Sequence, residues 1–213
     1  MRGASFFLIL ASSFSRAVVI DRIAVIVGKH VIKTSDIDRD LRVAAFLNRE
    51  PLRLTSDTKR KAAERLVDQE IIRQEVATGA YRRATDADAD ALTNQIRKDR
   101  WGGSEARFRA ALSQYGLSEA ALHEQLLWQL TVLRFIDQRF RPGVLVTDEE
   151  VRQYYDTHIS ELRRENPGNS SFEALAPKIR AVLEGERINQ EFEAWLQQAR
   201  KRNHIEYRQG AFE

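Results

Sequence analysis

The sequence predicts a mainly α-helical fold with a small antiparallel sheet formed by an N-terminal hairpin and a C-terminal strand. Three observations carry this expectation. Apolar residues recur at helical spacing through most of the 213 residues, Ser, Thr or Asp stands before most of the periodic runs, and strand-like alternation is confined to the two ends. A chain of this length builds one substantial core or two small ones. It contains no cysteine, which excludes disulfides, thiolate metal sites and cysteine nucleophiles.

The elements follow in order. Ile23 to Val27 is β-branched apart from Ala24, Gly28-Lys29 offers a two-residue turn, and His30 to Lys33 reads as the return strand. Thr34 or Ser35 is the expected cap of a first helix, with Asp36 and Asp38 in its first turn, Ile37 and Leu41 inward, and Pro51 beyond its end. A second helix runs from about Asp57 to Thr78 with Ala62, Ala63, Leu66, Val67, Ile71 and Val76 inward and Gly79 as its stop. Thr85-Asp86 opens a third, carrying Ala89, Leu92 and Ile96 up to Gly102-Gly103. Ser104 opens a fourth with Phe108, Ala111, Leu112 and Tyr115 on one face. Ser118 caps a fifth, whose stripe is read as Leu122, Leu126, Leu130, Leu133 and Ile136 or Asp137, continuing to Phe140 before Pro142-Gly143. Thr147 and Glu150 form a capping box for a sixth. Residues 163–171 are polar, hold a Pro-Gly pair and read as a linker. Pro177 suits the first turn of a last helix from about Lys178 to Lys201, and the alternation from His204 to Arg208 is expected to return to the hairpin.

Residues 1–17 read as a cleavable export signal: Arg2, the apolar stretch Ala4 to Phe14, then Ser15-Arg16-Ala17. That stretch is too short for a membrane span, which needs roughly 20 residues, and no later run reaches that length. The formal charge of +3 and pI near 9.3 invite a nucleic-acid reading. Removing the signal takes away two of the 34 basic side chains, against 31 acidic ones, and the remaining charges alternate along the helices as on a solvated face. Nucleic acid is therefore not an expected partner.

Residues 20–38 (IDRIAVIVGKHVIKTSDID), 65–96, the Phe108 to Tyr115 segment, 122–140 (LHEQLLWQLTVLRFIDQRF) and 146–155 (VTDEEVRQYY) together resemble the SurA-like family of periplasmic chaperones, whose larger members carry parvulin-type (PpiC-type) prolyl isomerase domains. The resemblance covers roughly residues 19–155 and, more weakly, 172–207. It implies a chaperone domain over residues 18–162, an insertion point for an isomerase domain at the 163–171 linker, and a helix and strand at 172–213 that pack back on the first domain. The stretch between the sixth and seventh helices is too short to fold an isomerase. The family's prolyl isomerase activity is therefore not expected, and the chain is read as a non-enzyme.

No other constellation points to chemistry. Asp86, Asp88 and Asp90 open like a calcium loop, but Ala91 and Arg97 stand where glycine and a bidentate glutamate belong. His30, His123, His158 and His204 are far apart, and nucleotide-binding and serine-hydrolase motifs are missing, so neither metal nor cofactor is expected. Asn169-Ser170-Ser171 matches a sequon and supports only exposure of its loop.

The resemblance implies binding of unfolded or nascent exported polypeptides, outer-membrane proteins above all, without ATP and in the periplasm. Candidate peptide contacts are Trp101, Phe108, Tyr115 and Trp128. Phe108 and Tyr115 lie on an apolar stripe and read more readily as core than as contacts, a reading also open to Trp128, while Trp101 beside Gly102-Gly103 is the best exposed candidate. Two other readings stay open: a prolyl isomerase accessory acting beside a separate catalytic chain, and a dedicated assembly subunit with one folded partner.

Overall fold

Strands β1 (Ile23–Val27) and β2 (His30–Lys33) pair antiparallel around Gly28-Lys29 in the computed structural model, which describes residues 21–165 and 167–213. Gly28 sits at φ 59°, the left-handed conformation that the tight turn requires and that glycine adopts without steric cost. Strand β3 (Ile205–Tyr207) joins the free side of β1, giving an antiparallel sheet of order β2-β1-β3. Seven helices make up most of the remaining described residues, so the fold is mainly α with one small sheet. The export signal read at residues 1–17 lies outside the described residues.

Helix α1 (Thr34–Asn48) follows β2 without a break, so Thr34 and Ser35 are already helical and cannot act as the cap. Carboxylates on either side do so instead. Asp21 accepts from the Ser35 N–H at 3.1 Å, the Ser35 hydroxyl at 2.6 Å and the Thr34 hydroxyl at 3.2 Å, while Asp36 accepts from the Lys33 N–H at 3.0 Å. The bond from the Ser35 hydroxyl, outweighing partial burial, holds the Asp21 carboxyl below its ordinary range. The helix stops at Arg49, which takes a left-handed φ of 59° and lets Glu50 N–H reach Ala45 O at 2.9 Å.

Helix α2 (Ser56–Thr78), capped by Thr55, carries the longest buried face, with Ala62, Ala63, Val67, Ile71, Ile72 and Val76. Its stop, Gly79, is extended and not left-handed. Glycine is required there for space, because a Cβ would lie 2.2 Å from the Tyr81 ring. Helices α3 (Asp86–Trp101), α4 (Glu105–Gln114) and α5 (Glu119–Phe140) start at Thr85, Ser104 and Ser118, each side chain accepting the amide three residues on. A 3-10 turn at Arg141–Gly143 then leads towards α6 (Asp148–Glu165), opened by the Thr147 and Glu150 box.

Two sequence expectations shift here. Helix α6 continues to Glu165, and α7 (Phe172–Arg202) begins at Phe172 with Ser171 as cap, so the connection is shorter than the 163–171 linker. Pro177 therefore lies inside α7 and removes one backbone bond to Glu173, a defect the helix absorbs near its start. On α5 the inward stripe is Leu122, Leu126, Thr131 and Phe135, not Leu130 and Leu133; Leu133 is 63% exposed. The buried face instead turns along the helix, since the step from Leu126 to Thr131 rotates it by about 140° at 100° per residue. Thr131 can be buried because its hydroxyl donates to Leu127 O at 2.9 Å and accepts from Ala84 N–H at 3.2 Å.

Three clusters hold these elements together. The first packs Val25, Val27 and Ile32 of the sheet on α2, Phe135 of α5, Leu196 and Ala199 of α7, and the terminal Phe212. The second gathers Val43 and Phe46 of α1 with Phe108, Leu112, Leu122 and Leu126. The third joins Val151 and Leu162 of α6 to Leu175 and Ile179 of α7. Arg200 ties α7 to α2 through Asp68 and Glu64. Burial disfavours the charge of Asp68 and raises its pKa; it also opposes the charge of Arg200, but the two carboxylates keep that guanidinium protonated above its usual range. Tyr207 of β3 packs beside the same group, and burial pushes its phenol up to about 12.

The C-terminal strand and Phe212 complete the first cluster, so deleting residues 203–213 lowers the unfolding free energy by about 3 kcal/mol, a loss typical of vacated core contacts. Thermal unfolding of the truncated chain measures it, and an unchanged midpoint would refute the contribution.

Candidate functional site

Between the first two clusters lies a groove of about 670 Å³. One wall is β2 with the first half of α1, from Val31 to Val43; the facing walls are α2 from Leu66 to Ala77 and α5 from Ala121 to Thr131, with Arg83-Ala84 closing one end. Leu66, Val76, Leu127 and Trp128 give it an apolar lining. Asp36, Arg39, Asp40, Glu70, Arg73, Arg83 and Glu124 give it polar groups of both signs.

Those charges mostly satisfy one another. Asp40, 9% exposed, is paired with Arg65, and Glu70 takes Arg73 at 3.5 Å and His30 at 3.3 Å. Arg39 lies 3.9 Å from Asp36. Burial raises the Asp40 pKa against the opposing pull of Arg65, so the groove holds an acid whose charge is disfavoured by its surroundings. Arg73 also lays its guanidinium over the Trp128 ring, 4.2 Å from the centroid, a cation–π contact at the mouth of the apolar surface. The Trp128 indole N–H is buried without a hydrogen-bond partner among the described residues.

The four sequence candidates separate. Phe108 is fully buried, and Trp101, Phe108 and Tyr115 gather around Phe46. Trp101, expected to be exposed, instead stacks on Phe46 with centroids 5.5 Å apart and planes 9° from parallel; the left-handed turn at Gly102 folds the chain back over it. Tyr115 also donates its hydroxyl to Glu50 O at 3.2 Å. Only Trp128 lines the groove. Sequence reasoning did not single out Val31, Asp40 or Arg73. Asp40 had a signal, an acid within the apolar face set by Ile37, Leu41 and Val43; Arg73 had none, because its meeting with Trp128 is made by tertiary packing.

Among the described residues, no group of three or more His, Asp or Glu side chains is placed to hold a metal ion. No helix among them is long and apolar enough to cross a membrane. No family model matches the chain. The chain is similar to Chaperone SurA of Pseudomonas aeruginosa, 28% identical over 159 residues. The match covers 72% of this chain and 38% of that protein, so the chain spans about two fifths of its relative's length. This likeness supports a distant SurA-like relation.

Core and groove aromatics respond differently to substitution. Phe108→Ala costs about 4 kcal/mol of stability, as an emptied aromatic core position does. Trp128→Phe costs less than about 1.5 kcal/mol, because the groove side is open. Denaturant titration distinguishes them. With Trp101 and Trp195 both changed to Phe, Arg73→Ala raises acrylamide quenching of the remaining Trp128; unchanged quenching would mean that Arg73 does not shield it.

Proposed function

We propose that this chain is an ATP-independent, holdase-type chaperone that binds unfolded exported polypeptides in the periplasm, outer-membrane proteins among them, and has no prolyl isomerase activity of its own. The observation that supports it most is the groove holding Trp128, read together with the likeness to Chaperone SurA. An apolar lining among self-paired charges asks for no particular side chain. It rewards apolar and aromatic residues of many sequences, each contributing at most about 1.5–3 kcal/mol on burial. Binding of that kind is weak, broad and reversible, which suits a holdase and needs no nucleotide. The non-enzyme part of the reading is supported by the short connection between α6 and α7, at the point where the resembling family carries its isomerase domain.

Light scattering of a diluted, unfolded outer-membrane protein tests this beside an isomerisation assay on a proline-containing peptide. At several-fold molar excess the chain suppresses aggregation without ATP, Trp128→Phe weakens the suppression, and the peptide isomerises at its uncatalysed rate. Scattering that is unaffected, together with co-purification of one protein at fixed stoichiometry, would move the reading to a dedicated assembly subunit. Catalysed turnover would refute the non-enzyme claim, and turnover only when a separate catalytic chain is added would favour the accessory reading. Cell fractionation with N-terminal sequencing recovers the chain in the periplasm with its first residue near Val18; an intact Met1 in the cytosol would sink the export claim.

A further inference from the structure

Among the described residues, no strand covers the outer edge of β2. Gly28 N–H donates to His204 O at 2.8 Å and Arg208 N–H to Ala24 O at 2.9 Å, so the even-numbered residues of β1 face β3 and the odd-numbered ones face β2. His30 and Ile32, opposite Val27 and Val25, therefore turn their N–H and C=O towards β1, and Val31 turns both outward. The outward N–H of Lys33 is taken by Asp36. Those of Val31 have no backbone partner among the described residues, and its side chain, on a residue 46% exposed, lines the groove.

We propose that β2 receives an extended segment of the client as a fourth, antiparallel strand centred on Val31, and that the segment carries acidic residues two positions to either side of its centre. This rests on the chaperone reading above and specifies how its site selects a segment. Two exchanged backbone bonds at Val31 set the register, and the adjoining groove takes the neighbouring side chains. Lys33 stands two residues after Val31 on the strand and Lys29 two before it in the turn, so an antiparallel partner places its residues two before and two after centre opposite the lysines. Lys33 already shares Asp21 at 3.9 Å, which leaves Lys29 the larger share of the selection. The same lysines argue against a second copy of this chain as the occupant. Two β2 strands paired about Val31 would set Lys29 of each copy against Lys33 of the other, a like-charge arrangement of the sort that guards edges from self-pairing.

The probe is a short capped peptide, Thr-Glu-Thr-Val-Thr-Glu-Thr, labelled for fluorescence anisotropy against the full chain. N-methylation of its central Val amide weakens binding about threefold to tenfold, the loss of one exchanged hydrogen bond, while N-methylation of the neighbouring Thr amide, which faces away, changes it by less than about twofold. Val31→Pro, which removes the outward N–H at an edge position that tolerates proline, has the same effect as the first peptide. Replacing both Glu with Lys weakens binding, and the difference shrinks as salt is raised. If the unmodified peptide binds and the two methylated forms bind equally, strand addition is overturned and the chaperone reading stands. If the chain neither binds the peptide nor suppresses client aggregation, both fall. A dimer in sedimentation that Val31→Pro dissolves assigns the edge to a second copy and overturns the proposal.

Discussion

Strand β1 can bury its inner face only if the two ends of the chain meet. A hairpin of five and four residues is marginal in water, and the third strand comes from Ile205–Tyr207, at the far end of the sequence. The helix that delivers this strand, α7, is held on α2 by Leu196, Ala199 and the Arg200 pairs with Asp68 and Glu64. The ion pairs alone are weak support, because burial works against Asp68 and Arg200. Their value is directional: they fix the rotation of α7, so that β3 arrives beside β1 while α7's apolar face meets α2 and α5. Every wall of the groove, β2, α1, α2 and α5, is positioned against that closed arrangement.

The groove itself is a seam between two packed clusters. Trp128 packs against the sheet-based cluster, whereas Val43 belongs to the aromatic cluster around Phe46. Helix α5 serves both, with Leu122 and Leu126 in one and Phe135 in the other, and its inward face turns between them. The turning stripe explains why Trp128, close in sequence to buried Leu126, is left lining an opening. It also explains the placement of Thr131, a polar residue whose hydroxyl is satisfied on both sides and which joins α5 to the Ala84 backbone at the end of the groove.

Much of this fold was legible in the sequence because caps and glycines are local. Thr85, Ser104, Ser118 and Thr147 mark helix starts by their own hydroxyls, and the turn at Gly28 by its own φ. The start of α1 was misread because its capping group, Asp21, reaches in from before the hairpin, and a sequence window cannot see a bond across 14 positions. The start of α7 was misread because Pro177 is a good first-turn residue, yet Ser171 supplies a cap further upstream. For the candidate site the limit was tertiary packing. Four aromatic residues were picked by composition and spacing; packing drew Trp101, Phe108 and Tyr115 around Phe46 and left Trp128 to the groove. Neither Arg73 over Trp128 nor Val31 on the outer strand of the described sheet can be inferred without knowing which elements are neighbours.

The electrostatics of the groove bear on how the proposed chaperone would let go of what it holds. A ligand that displaced Arg73 from the Trp128 ring would give up a cation–π contact of about 0.5–2 kcal/mol, and one that approached Glu70 would compete with both Arg73 and His30. Each gain from apolar burial is thus partly offset by an interaction that already exists in the empty groove. Micromolar binding corresponds to about 8 kcal/mol, and one or two buried side chains that also bear the cost of association fall short of it. On the proposed chaperone reading, release then needs no driven conformational change. It follows from dilution or from a client's own folding, which buries the apolar residues elsewhere and leaves the groove's charges to close on one another again.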